Sequence, residues 1–323
     1  MLKLKGLNLD GFPLAALAAY GLLRVLEEKG LQAALAFEAP YARPVALLNL
    51  PMSREALLDF LVDHARTLDL QERGVVRERV RGTGRKGKVK EKEIVLELKD
   101  LWERGLLSQN PFFQAYLFQV RGRAKTARLV TTPFDTTKGQ QGFLKALAAL
   151  VELLRKDPDR AREAFRKALF EDVRLLPGDL LYRKVPRLGW HPSQFRRTAD
   201  QARIATKERY EGTTRLNPAA LLLAWEAIPF FPFAPSRRNP VPLGFTFTGG
   251  RYRLHLPAPE APVDAALLRA LIALAPSLGD RTPDLRVWTS VRVGSKATTD
   301  DYPCFLAPEP ATAPARTRAP HRR

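Results

Sequence analysis

The chain opens with alternating apolar and polar residues, Leu2-Lys3-Leu4-Lys5, which predicts a short strand. After the turn signal Asp10-Gly11, residues 13–29 carry Leu14, Leu17, Gly21, Leu22 and Val25 on one helical face and end at Gly30. Strands are predicted at 33–37 and 45–50. Ser53 then caps a helix to about residue 70, with Leu57, Leu58, Leu61, Val62 and Ala65 at helical spacing. Residues 81–90 hold three glycines and five basic side chains, cannot bury apolar surface, and predict a mobile loop. A short strand or helix start at 94–98 and a buried aromatic stretch at 110–120 follow, then a strand at 129–132 and a polar loop at 131–142. A helix over 140–156 is succeeded by one capped at Asp157-Pro158 and reaching Phe170. Residues 177–216 take no clear assignment. Asn217-Pro218 starts an apolar helix to residue 228, and a proline-broken connection spans 229–242. Phe245 and Phe247, the pair Gly249-Gly250, then Tyr252, Leu254 and Leu256 predict a hairpin with a two-residue turn. A helix at 263–274 and a strand at 285–293 complete the pattern.

Helices and short antiparallel strands mix without a regular βαβ rhythm, so the expected class is α+β. The expected organisation is a single body over 1–306, with any sub-boundary at 157–177, and a disordered basic tail over 307–323. No apolar run reaches the roughly 18 residues that span a bilayer, and the run 14–23 lacks the features of a signal peptide. The single cysteine, Cys304, excludes an internal disulfide framework and a cysteine-cluster zinc site; a reducing cytoplasm is the expected location. No cofactor is expected.

Charge changes the picture most. Lysine and arginine number 53 against 34 aspartates and glutamates, a formal net charge of +19. The excess falls in four segments, 73–99, 121–145, 181–215 and 306–323, on an otherwise neutral chain. Unmatched cationic segments bind phosphate backbones by releasing condensed counterions. General solubility is the competing reading.

No Ser-His-Asp, Cys-His or phosphate-loop arrangement occurs. Gly82-Thr83-Gly84-Arg85-Lys86-Gly87 lacks the closing Lys-Ser/Thr of a phosphate loop, but as a basic finger it offers Arg85, Lys86, Lys88 and Lys90 to a duplex backbone. Lys138, Gln140 and Gln141 stand at a predicted helix start, where phosphate is attracted and Gln can pair with an adenine edge; a polar cap would use the same residues. Residues 181–215 interleave Arg196, Arg197, Arg203 and Lys207 with Tyr182, Trp190, Phe195 and Tyr210. This suits single strands if the rings are exposed, and a core with an arginine rim if they are not. Glu97-Leu98-Lys99 resembles the tail of a metal-dependent nuclease signature, so a Mg²⁺ nuclease is the enzymatic alternative. His64 reads as a partly exposed helix residue. His191 reads as structural or base-contacting, and Asp300-Asp301 as a turn.

Three stretches together carry a family resemblance: GFPLAALAAYGLLRVLEEKG at 11–30, KGQQGFLKAL at 138–147 and LNPAALLLAWEAIPFFPFAP at 216–235. In order and spacing they resemble the small form of the large subunit of type I CRISPR effector complexes (Cascade), subtype I-U or I-G; WTSVRVGSKA at 288–297 is similar to that family's closing strand. Of the family's Trp-Ala-Gly-Gln-Gln core only Gly139-Gln140-Gln141 stands here, after Thr137-Lys138. The resemblance implies a non-catalytic, cytoplasmic subunit of a crRNA-guided surveillance complex. Its implied partners are crRNA, target DNA, other effector subunits and a helicase-nuclease, with no membrane. It implies roles in recognising the flanking motif (PAM), in binding opened target DNA and in recruiting the helicase-nuclease for antiviral defence. On that reading Lys138, Gln140 and Gln141 lie near the flanking motif, Arg85, Lys86, Lys88 and Lys90 on the duplex, and Arg196, Arg197, Arg203 and Lys207 on guide or target backbone. A stand-alone RNA-binding protein is the remaining alternative.

Overall fold

The computed structural model describes residues 1–8, 13–38, 44–83, 89–105, 110–121, 127–136, 142–173, 188, 190, 216–234, 240–278, 284–293, 304–305 and 309–310. Strand β1 (Leu2–Asn8) leads to helix α1 (Pro13–Glu28), strands β2 (Ala34–Glu38) and β3 (Val45–Asn49), and helix α2 (Arg54–Thr67). A hairpin β4 (Arg77–Thr83) and β5 (Val89–Val95) is followed by short helices α3 (Leu98–Glu103) and α4 (Pro111–Tyr116). A second hairpin is β6 (Leu117–Arg121) with β7 (Ala127–Thr131). Then come α5 (Phe143–Arg155), α6 (Pro158–Phe170), α7 (Pro218–Glu226), a hairpin β8 (Phe245–Thr248) with β9 (Arg251–Pro259), α8 (Ala265–Leu278) and β10 (Leu285–Val293). The pairs β11 (Cys304–Phe305) and β12 (Glu309–Pro310) complete the order. The class is α+β. Among the described residues no helix is long and apolar enough to cross a membrane.

Local chemistry starts the helices where short-range signals place them. Ser53 accepts from the Ala56 N–H at 3.1 Å, Asp157 from Arg160 at 3.1 Å and Asn217 from Ala219 at 2.9 Å, each satisfying a helix-end donor. Asn217 is fully buried and its own amide donates to the Ala164 carbonyl at 2.8 Å, which ties the start of α7 to α6.

α7 is apolar on every side and buried at all nine residues, as the packing of such helices requires. It lies against α1, buried continuously from Pro13 to Leu23. The two backbones meet at Gly21, where a Cβ would come within 1.7 Å of the Leu223 carbonyl oxygen, so only glycine permits this crossing. Helices α2, α5 and α6 surround the pair. An antiparallel sheet ordered β1-β3-β2 packs on α1 and α6. A second sheet, β11-β10-β9-β8 with β12 also on β10, packs on α8. Paired hydrogen bonds between Leu35 and Val263, 2.8 and 3.0 Å, join the sheets' neighbourhoods, and the Tyr20 hydroxyl donates to the Pro257 carbonyl at 2.6 Å.

Several sequence expectations are corrected here. The finger is narrower than 81–90, because β4 and β5 stay in register through Gly82↔Lys90 and Thr83↔Val89. The opening of the 131–142 segment is buried rather than a polar loop. Phe134 sits within 5.2 Å, ring to ring, of both Phe231 and Phe245, and the buried polar groups around it are paired, as in Thr132 N–H to the Tyr116 carbonyl at 2.8 Å. Within the expected disordered tail, Glu309 and Pro310 pair with Thr289 and Trp288 of β10. The Trp225–Phe233 stretch is core.

Candidate nucleic-acid interface

Of the 53 lysines and arginines, 28 lie among the described residues, together with 26 of the 34 aspartates and glutamates. The described residues are therefore near neutral, and 25 cations with only 8 carboxylates fall outside them. Many of the described cations are matched by carboxylates. Arg162 binds Glu55 and Asp59, Arg166 binds Glu163 and Glu171, and Arg104 binds Glu78. Such exposed pairs add little stability, but they cancel charge.

The finger hairpin shows the same gradation along its length. At its base Val75 and Leu96 are buried, and the Arg77 guanidinium lies 3.2 Å from Glu93 and also meets Glu152 on α5. Further out Arg79 stands opposite Glu93 and Arg81 opposite Glu91 in register. The connection beyond Thr83 reads Gly-Arg-Lys-Gly-Lys, with no carboxylate. The second hairpin repeats this. Its last pair is Arg121↔Ala127, and residues 121–128 contain Arg121, Arg123, Lys125 and Arg128 without an acidic residue. In both hairpins cation surplus grows from base to tip, which is where a polyanion would meet it.

Of the residues singled out from sequence, Arg85, Lys86 and Lys88 lie outside the described residues, in the five-residue connection between paired Thr83 and Val89. Lys90 is placed by its backbone, opposite Gly82. Lys138, Gln140 and Gln141 also lie outside the described residues, directly before Gly142, the N-cap of α5. Arg196, Arg197, Arg203 and Lys207 lie outside them as well, with Tyr182, Phe195, Tyr210, His191, Asp300 and Asp301. Trp190 is described and is no stacking platform. It is fully buried against Phe134 and Trp225, and its indole donates to the Phe134 carbonyl at 3.0 Å.

The start of α5 bears on two further expectations. Its end is already capped: the Glu97 carboxylate accepts from Leu144 N–H at 3.2 Å and Lys145 N–H at 3.3 Å. Phosphate capture by those donors would have to displace it. The carboxylate lies close over Gly142, where an added Cβ would come within 1.8 Å of Glu97 Oε1 and push that side chain aside. Burial pushes the Glu97 carboxyl above its ordinary value, and the two N–H groups and Lys145 only partly offset that. Lys99 is instead exposed and pairs with Glu103 at 3.5 Å, so Glu97 and Lys99 do not form one site. Among the described residues no group of three or more His, Cys, Asp or Glu side chains could hold a metal ion. Replacing Glu97 by Ala is expected to lower stability by about 1 kcal/mol in chemical unfolding, as for loss of a helix cap, with Gln restoring part of it. A loss under about 0.3 kcal/mol would contradict the capping role, given the usual range for caps.

The main polar cluster that the sequence does not reveal is internal. Glu226, 1 % exposed at the end of α7, meets Arg24 of α1 and, at 3.1 Å, Arg73. His64 of α2, expected to be partly exposed, is buried with Nε2 3.4 Å from Glu226 Oε1. Glu28 lies 3.2 Å from Arg24 and 2.9 Å from Arg73, while the Phe112 ring lies 5.0 and 5.3 Å from the two guanidinium carbons. The cluster fastens α1, α2 and α7 beside the base of the finger hairpin, because Arg73 precedes β4 by four residues. Its signal in the sequence is faint: one carboxylate at the end of an otherwise apolar helix. No family model matches the chain, and no curated protein matches it.

Proposed function

We propose that the protein is a non-catalytic, cytoplasmic nucleic-acid-binding subunit of a crRNA-guided type I CRISPR surveillance complex. In this role it helps read the flanking motif, grips target DNA beside the guide and offers a face to the helicase-nuclease. The observation that carries the nucleic-acid part is the charge distribution along the sequence: a net charge of +19 whose surplus cations concentrate in residues 73–99, 121–145, 181–215 and 306–323. The narrower assignment rests on the family resemblance. The first and third resembling stretches fold here as α1 and α7, which meet at Gly21. In such complexes base pairing reads the target while protein reads backbone and a short flanking motif, so cations without a catalytic constellation suit the part.

Ala at Arg85, Lys86, Lys88 and Lys90 is expected to weaken duplex binding alike for all sequences. It should flatten the slope of log K against log salt by up to about 3.6, at ~0.9 for each phosphate no longer neutralised. An unchanged slope removes the finger from the interface. Ala at Gln140 and Gln141 should change the preference among flanking motifs, and an equal loss on all motifs would leave them only a backbone role. Recovery of one short RNA species with partner subunits tests membership of the complex. Its absence favours a stand-alone RNA-binding protein.

A further inference from the structure

The hairpin β8–β9 combines features that the four basic segments do not include. No carboxylate occurs between Glu226 and Glu260, while Arg237, Arg238, Arg251 and Arg253 do. The turn is Gly249-Gly250, with φ of 59° and 76°, the left-handed conformation that glycine allows and that a tight two-residue hairpin needs. Strand register separates two faces. On one, Phe247 pairs with Tyr252 and Phe245 with Leu254; on the other, Thr246 pairs with Arg253 and Thr248 with Arg251.

The aromatic face runs from core to surface. Phe245 is buried, Tyr252 leans on it edge to face at 6.3 Å, and Phe247 packs on Tyr252 at 4.8 Å while remaining 47 % exposed. The outermost ring is thus held from behind and open in front. On the opposite face Arg251 and Arg253 are exposed, and neither has a carboxylate partner among the described residues. His255 braces this face between the Thr246 hydroxyl at 2.9 Å and the Thr289 hydroxyl at 3.3 Å. Burial, and then the charge of Arg253, push the His255 imidazole down to about 4, so it adds no charge of its own at neutral pH.

We propose that the tip of β8–β9 is a single-strand binding site, with one base stacking on Phe247 and the adjoining backbone wrapping over the tip so that its phosphates meet Arg251 and Arg253 on the opposite face. A base π-face and the phosphates that flank it are the chemistry that an exposed ring on one face of a narrow two-stranded tip and exposed guanidiniums on the other recognise, the strand passing over the tip between them. A duplex keeps its bases stacked on one another and offers only the phosphates. This site rests on the nucleic-acid reading above and adds to it which hairpin meets an unpaired strand. The same ring pair could serve only as a cross-strand contact that stabilises the hairpin, and the test separates the two.

The full chain is titrated with short labelled oligo-rU, oligo-dT and a duplex of equal length, and 4-thiouridine in the RNA maps the contact by photocrosslinking. Phe247→Leu keeps an apolar side chain but removes the π-face. It is expected to lower single-strand affinity about tenfold, as for loss of one stacked base, and to leave duplex affinity unchanged. Phe247→Tyr should bind like the natural protein. Arg251→Ala with Arg253→Ala, both at exposed positions, should flatten the single-strand salt slope by about 1.4, at ~0.7 per phosphate. Comparison of the RNA and DNA arms tells which strand is preferred. Binding of single strands by the natural protein, unchanged in Phe247→Leu and in the arginine pair and with crosslinks elsewhere, overturns this site and leaves the proposed function standing. Failure of the natural protein to bind any of the three probes overturns both.

Discussion

Glu226→Gln is expected to destabilise the protein by about 3 kcal/mol at neutral pH, the order expected when one partner of a buried ion pair is removed. Gln keeps the shape and an acceptor oxygen but removes the charge. Arg73 would then be buried with only the partly exposed Glu28 and the largely exposed Glu72 to balance it, and Arg24 with Glu28 alone. Burial opposes the Glu226 charge, but Arg24, His64 and Arg73 outweigh it and hold the carboxyl well below its ordinary 4.5. Its folded value is lower than its unfolded value, so its contribution is present above pH 4.5 and is lost as pH falls below that. Urea unfolding at neutral pH should show the loss, and the natural protein should weaken more steeply in acid than Glu226→Gln. A neutral-pH loss below about 1 kcal/mol would mean that the arginines are already adequately solvated.

Gly21→Ala is expected to cost about 3 kcal/mol, at the upper end for inserting one carbon into a packed core. The added atom would lie 1.7 Å from the Leu223 oxygen, 2.7 Å from its carbon and 3.0 Å from the Ala227 nitrogen. These are helix backbone atoms and cannot rotate away, so α1 and α7 must separate and loosen the surrounding core. Gly30 provides the contrast. Its φ is 73° and nothing lies within 4 Å of an added Cβ, so Gly30→Ala should cost only the left-handed backbone penalty of about 1 kcal/mol. Equal losses at the two positions, measured by chemical unfolding, would contradict the close crossing.

What can be read from sequence is local. Ser53, Asp157 and Asn217 mark helix starts because the groups that they cap lie two or three residues away. The strand at 285–293 and the Gly249-Gly250 turn follow from short-range alternation and backbone freedom. What cannot be read depends on distant partners. Glu226 meets Arg73 and His64 from far along the chain, and Thr132–Thr136 are buried in spite of their polarity because carbonyls elsewhere accept their donors. Trp190 resembles a stacking residue because its neighbours in sequence are basic, but Phe134 and Trp225 enclose it. Phe247 reads simply as one side of a hairpin, since alternation fixes its face but not whether anything covers that face. Glu97 and Lys99 share a tripeptide yet serve different surroundings, because helix turns send them apart.

The most direct measurement is the affinity of the full chain for single- and double-stranded polynucleotides as salt is raised from about 50 to 200 mM. With the surplus cations gripping phosphates, log K should fall linearly with log salt with a slope of about −4 or steeper. No binding at the low-salt end, or binding that ignores salt, would contradict it.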